Sequence, residues 1–228
     1  MPSLARRATA EMLGTAFLVF FGCGVVIADF FPGGGFHVFG IAITHAIILS
    51  LAISGTMAIS GGHLNPAVTI GLLTIGKIGG RDAFVYIVSQ LVGALVAAFL
   101  VRGLVSPNVG HVVAYGTPVL NSATTLQTGI ALEAIFGFLL MSGVMGTVVA
   151  ANGPRIGGFG VGLTLIPIIM VGGPLTGGVA NPARAIGPAV VSGTSTALAV
   201  WIIGPIVGAV LAALLWQYGL WGREKVAA

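Results

Sequence analysis

The segment Ser60-Gly61-Gly62-His63-Leu64-Asn65-Pro66-Ala67-Val68-Thr69-Ile70-Gly71 returns 116 residues later as Thr176-Gly177-Gly178-Val179-Ala180-Asn181-Pro182-Ala183-Arg184-Ala185-Ile186-Gly187. Upstream, Glu11 and Glu133 stand in matching places, 122 residues apart. The chain therefore reads as one domain built of two similar halves, near residues 8–105 and 125–220. Whatever one half builds, the other must build again.

Composition decides the solvent. Of the residues, 57% are hydrophobic and 6% charged, with a mean hydropathy of +1.10, whereas a soluble domain is about a quarter charged. Such a chain cannot cover itself in water, and five acids with nine cations cannot also furnish an enzyme's polar cleft. A pI near 9.9 arises here from scattered cations without a basic cluster, which excludes a nucleic-acid partner. The single cysteine, Cys23, forbids an internal disulfide and reads as a small apolar packing residue.

Apolar stretches at Met12–Ala28, Val38–Ile59, Ala83–Val101, Leu126–Ala151, Phe159–Gly172 and Ala197–Tyr218 predict six membrane spans. Two shorter pieces, 65–75 and 181–191, are about 16 Å long as helices, half a bilayer. The first stretch follows Arg6 and Arg7, starts with Glu11 and lacks a clear small-x-small cleavage pattern, so it reads as a retained helix. Arg6, Arg7, Lys77, Arg81, Arg155, Arg223 and Lys225 fall on the side of the termini, which places both termini in the cytoplasm. Small-xxx-small spacings at Gly158/Gly162 and Gly204/Gly208 predict close helix contacts.

Three spans per half is an odd number, so the second half enters from the opposite face, giving an inverted repeat. The two Asn-Pro-Ala triplets then meet at the midplane. Asn is a strong helix N-cap and Pro suits the first helical position, so each triplet starts a short helix. The irregular backbone before it survives at membrane depth only when buried in protein or lining a wet cavity. Two facing helix N-termini place roughly half a positive charge each at the midplane, a field that opposes cations. With their oxygens capping the helices, Asn65 and Asn181 would turn amide N–H groups into the lumen and orient a passing water.

Two triplets, a glutamate early in each half, Gln90 in the third span and Trp201-Ile202-Ile203-Gly204-Pro205 in the sixth together resemble the aquaporin (major intrinsic protein) family, from about Glu11 to Trp216. The resemblance implies an all-α integral membrane fold of six transmembrane helices plus two half-membrane re-entrant helices. It also implies a passive channel rather than an enzyme, no cofactor or metal, and a homotetramer in the plasma membrane. Asn65, Pro66, Ala67, Asn181, Pro182 and Ala183 would form the midplane site. Family spacing places a selectivity ring at His45, Ile169, Gly178 and Arg184. Strict water channels of the family usually carry Phe and His where this chain has His45 and Ile169. The set is similar instead to that of ammonia-permeable, plant vacuolar-type aquaporins.

Gly178 has no side chain and Ile169 cannot hydrogen-bond, so the ring should be wide and tolerant, with His45 and Arg184 still offering donors. Water and ammonia are the solutes this implies. Glycerol facilitators of the family usually have Asp after the arginine of the second triplet and lack the sixth-span tryptophan; Ala185 and Trp201 stand here.

Arg184 has no nearby acid in its half-helix and reads as a pore cation. Glu11 and Glu133 read as braces of the irregular loops, and His63 as a brace of the cytoplasmic vestibule or, equally, as a residue lining it. His111 reads as a solvated loop residue, with a reach toward the ring, which the resemblance to ammonia-passing relatives implies, as the alternative, and Arg102 is left without a role. The alternative from another class is a secondary transporter, which can share inverted repeats and broken helices but needs a titratable coupling residue at its binding site.

Overall fold

A computed structural model describes residues 2–221 of the 228. Arg223 and Lys225, counted above for orientation, lie outside those residues. Every regular element among the described residues is helical. Five helices have the length and apolarity to cross a bilayer: α1 (Leu4–Phe30), α2 (His37–Ser60), α4 (Gly80–Leu104), α6 (Leu126–Val144, extended by a π-helical turn Met145–Val149) and α10 (Leu198–Leu214, extended likewise through Leu215–Leu220). Between α2 and α4 lies the short α3 (Pro66–Thr74), and before α10 its counterpart α9 (Pro182–Ser192). A one-and-a-half-turn helix, α5 (Pro107–Val112), follows α4.

The fifth expected span differs from a single crossing helix. It is two pieces, α7 (Gly157–Leu163) and α8 (Leu165–Gly172), broken at Thr164. Pro167 has no N–H for the Leu163 carbonyl and its ring crowds that turn, so the ladder cannot run through. Together the pieces run from Gly157 to Gly172, about 24 Å as helix against a hydrocarbon core of about 30 Å.

The two halves interlock. Helix α1 packs along α4, and α6 along α10, while α3 of the first half lies on α10 and α9 of the second lies on α4. In lipid the drive for this is close packing rather than escape from water, so small residues hold the seams. At the α6–α10 seam, a side chain on Gly208 would strike the Ala134 carbonyl, and one on Gly137 would stand 2.5 Å from the Pro205 carbonyl.

Polarity is distributed inside out. Phe17, Phe84, Phe99 and Ile135 are exposed on the outer surface, whereas Glu11, Glu133, Gln90, Asn65, Asn181 and Arg184 are buried within. A bilayer accepts the first set, and the second must find partners inside the protein.

Candidate functional site

Each irregular loop needs acceptors for backbone N–H groups that no helix or sheet satisfies. In the first loop, Glu11 accepts from His63 N at 3.0 Å, Leu64 N at 2.7 Å and the Ser60 hydroxyl at 2.6 Å. In the second, Glu133 accepts from Val179 N at 2.9 Å, Ala180 N at 2.7 Å and the Thr176 hydroxyl at 2.7 Å. The two patterns match residue for residue at the 116-residue offset. Tyr86 then donates its hydroxyl to the Ser60 carbonyl at 2.7 Å, and Trp201 its Nε1–H to the Thr176 carbonyl at 2.8 Å. These braces hold Leu64 and Ala180 at φ near +50°, the left-handed region that a side chain disfavours.

The halves part company at one point. Gln90 donates to both Glu11, at 2.8 Å, and Thr69, at 3.0 Å, and His63 Nδ1 lies 3.1 Å from the same Thr69 hydroxyl. At the offset that relates the triplets, Thr69 corresponds to Ala185, so the second half cannot repeat this network.

The triplets start helices as capping chemistry requires. Asn65 Oδ1 accepts from Ala67 N, and Asn181 Oδ1 from Ala183 N and Arg184 N, with Pro66 and Pro182 in the first turn. Their amides do more than face the lumen. Asn65 Nδ2 donates to the Ala180 carbonyl at 2.8 Å and Asn181 Nδ2 to the Leu64 carbonyl at 3.1 Å. One N–H of each amide straps the loops together, and one remains on each for the cavity that both residues line.

That cavity, about 410 Å³, runs from Val113, Thr117 and Val119 of the connection after α5, past His45, Ile169, Gly178 and Arg184, to Asn65, Asn181 and His63. A second cavity shares Ile53, His63, Val68, Val144 and Val161 with the first and is lined at its other side by Lys77.

The four expected ring residues come together. Arg184 Nε lies 3.4 Å from His45 Nε2, and an NH1 hydrogen goes to the Gly116 carbonyl at 3.0 Å. A side chain on Gly178 would stand 3.0 Å from the Ile169 Cα. His45, however, does not offer a free donor as expected. Its Nδ1 is 2.9 Å from the Ile41 carbonyl, which can only accept, so the proton sits there and Nε2 faces Arg184 as an acceptor. Donors at this level are left to the guanidinium. At the same offset from the first triplet, the other half places Val161, Ile53, Gly62 and Val68 around the second cavity, an apolar counterpart of the ring.

Comparison with known proteins adds to this geometry. The family model described as "Major intrinsic protein" matches residues 1–216. The chain belongs to the major intrinsic protein family. It is 37% identical to aquaporin AqpM of Methanothermobacter thermautotrophicus, over 96% of this chain and 98% of that one. It is 36% identical to probable aquaporin NIP4-2 of Arabidopsis thaliana, over 90% and 71% of the two chains. Its fold is similar to the X-ray structure of the aquaglyceroporin from Plasmodium falciparum, with a TM-score of 0.81, 25% identity, and 96% and 97% of the chains covered. Within this family the passage is that of a passive membrane channel, and alternating access is set aside.

Other expected residues lie apart from the passage or beside it. His111 is exposed and stacks edge-on against Tyr115. Arg102 donates to the Val191 carbonyl at 3.2 Å, tying α4 to the end of α9. Cys23 is fully buried against Gly116. Among the described residues no three His, Cys, Asp or Glu side chains group to hold a metal.

Several members of the channel's framework escaped sequence reasoning. Ser60 and Thr176 are among them, although a hydroxyl opening both copies of the repeat is a signal that points to them. Gly116 contributes only a carbonyl, for which a sequence carries no signal.

Proposed function

We propose that the channel conducts water, and ammonia beside it, while refusing protons and other cations. One observation carries this: the two strapped asparagines leave donors on a passage whose ring combines a single cation with two residues whose side chains offer no hydrogen bond. A water molecule accepting from both amides turns its own hydrogens away from the midplane, so a proton cannot hop along the file. The N-termini of α3 and α9, roughly half a positive charge each, reinforce that orientation. Arg184, with Arg7–Asp82 the only ion pair among the described residues, keeps its charge for the lumen.

Ile169 and Gly178 make the ring indifferent to water's hydrogen-bonding pattern, and that supports ammonia as a second solute. A glycerol-type solute is the second reading, favoured by the likeness to a protein named an aquaglyceroporin and by a ring without Phe, Tyr or Trp. Ala185 after Arg184 and Trp201 in α10 weigh against it. We further infer that the face carrying Arg7 and Lys77 is cytoplasmic in a plasma membrane, and that the channel assembles as a homotetramer.

Water, ammonia and glycerol permeabilities measured in the same proteoliposomes test the proposal. Water and ammonia fluxes above those of empty vesicles, with glycerol at background, are expected; glycerol flux without ammonia flux would replace it by the second reading.

A further inference from the structure

On α1, Gly14, Leu18, Gly22 and Val26 follow one another at four-residue intervals, so one stripe of the helix faces the passage. Leu18 and Val26 line the cavity, and the two glycines are covered by other side chains. A Cβ at Gly14 would stand 2.5 Å from Leu64 Cδ2. One at Gly22 would stand 2.6 Å from His45 Nε2 and 3.3 Å from Arg184 Nε. Eight residues separate these recesses, about 12 Å along the helix. The first serves the level of the strapped loops and the second the level of the ring.

The recess at Gly22 has no counterpart across the repeat. Eleven residues beyond Glu11 comes Gly22, and eleven beyond Glu133 comes Val144, whose side chain itself lines the passage. The space behind His45 and Arg184 is thus particular to one end of the channel.

We propose that Gly22 is a positioning residue for solute selection: its missing side chain lets the His45 imidazole and the Arg184 guanidinium sit back against α1, which sets the width left to the solute. The proposal rests on reading His45, Ile169, Gly178 and Arg184 as the ring where solutes are selected. A methyl group at position 22 finds no other space. The imidazole is held by Nδ1 to the Ile41 carbonyl, so it cannot turn end for end without losing that bond. Helix α1 is held along one flank, where Val19, Cys23 and Ile27 are packed with Ala94, Ala97 and Val101 of α4, so moving it back would cost that packing. The added methyl therefore drives the two ring side chains into the lumen and pulls Arg184 off its partners.

The test is Gly22→Ala in the full chain, reconstituted and normalised to protein per vesicle, with the ammonia-to-water permeability ratio as readout. A general packing defect lowers both fluxes together, whereas a narrowed ring changes the ratio. We expect the ratio to fall about tenfold, the effect of an added barrier of one decade, and to recover when His45→Ala is combined with Gly22→Ala. Ile169→Phe in parallel reports on the ring itself. If Ile169→Phe changes the ratio and Gly22→Ala does not, the role of Gly22 is overturned while the ring stands. If neither changes it, or the unaltered channel passes no ammonia, the ring reading falls and takes this proposal with it. Should Gly22→Ala fail to fold, the double variant decides: a folded Gly22→Ala/His45→Ala protein supports the recess. An unfolded one, with His45→Ala alone folded, contradicts it.

Discussion

Asn65 and Asn181 are each bound to the other's loop, Asn65 to the Ala180 carbonyl at 2.8 Å and Asn181 to the Leu64 carbonyl at 3.1 Å. The same two side chains cap α3 and α9 with their oxygens. Helix start and loop strap are therefore one device, and the amide donors cannot move unless both let go.

Asn181→Ala removes the cap of α9 and leaves the Leu64 carbonyl without its partner. The cap is worth about 1 kcal/mol and an orphaned buried acceptor about 1–3 kcal/mol, so a combined loss of roughly 2–4 kcal/mol is expected. A lower thermal midpoint in detergent measures it. Asn181→Asp keeps the capping oxygen but exchanges a donor for negative charge, and it should admit cations in a liposome leak assay.

Arg184→Val removes the one side-chain cation of the ring. A passing cation no longer meets that charge, so a leak of protons or cations at least about tenfold above the unaltered channel is expected, a barrier lower by about 1.4 kcal/mol. A pH-sensitive dye trapped in the vesicles reads it. An unchanged leak would remove Arg184 from its assigned role.

Replacing His45 by Phe and Ile169 by His together narrows the ring and restores hydrogen-bonding demand. Ammonia flux should fall before water flux does, by about tenfold in the ratio. Retained ammonia flux would place selection elsewhere along the passage.

The two glutamates should differ in a set direction. Glu133 receives three donors and Glu11 receives the same three kinds plus Gln90 Nε2. Glu11→Ala strands one more buried donor than Glu133→Ala, and should cost about 1 kcal/mol more. Paired thermal or denaturant melts in one detergent check the order.

Much of this was legible because the rules involved are local or repeated. A capping asparagine followed by proline announces a helix start, and a lone glutamate in an apolar span must find donors. The second copy of each pattern then fixed what the first left open. Apolar length alone predicts one crossing helix over Phe159–Gly172, and the N–H that Pro167 lacks breaks it at Thr164. His45 was expected to donate into the lumen. Its tautomer is set by the Ile41 carbonyl one turn back, and its outer nitrogen is taken by a residue 139 positions away. Gly22 was one glycine among 37, and only the side chains around it distinguish it from the rest.

The temperature dependence of osmotic shrinkage in proteoliposomes tests the passage between Asn65 and Asn181 most directly. The account predicts shrinkage much faster than in empty vesicles, linear in the osmotic gradient and weakly dependent on temperature, as expected of a wet file that needs no conformational step. Shrinkage no faster than through lipid, or a flux that saturates and falls steeply on cooling, would contradict it.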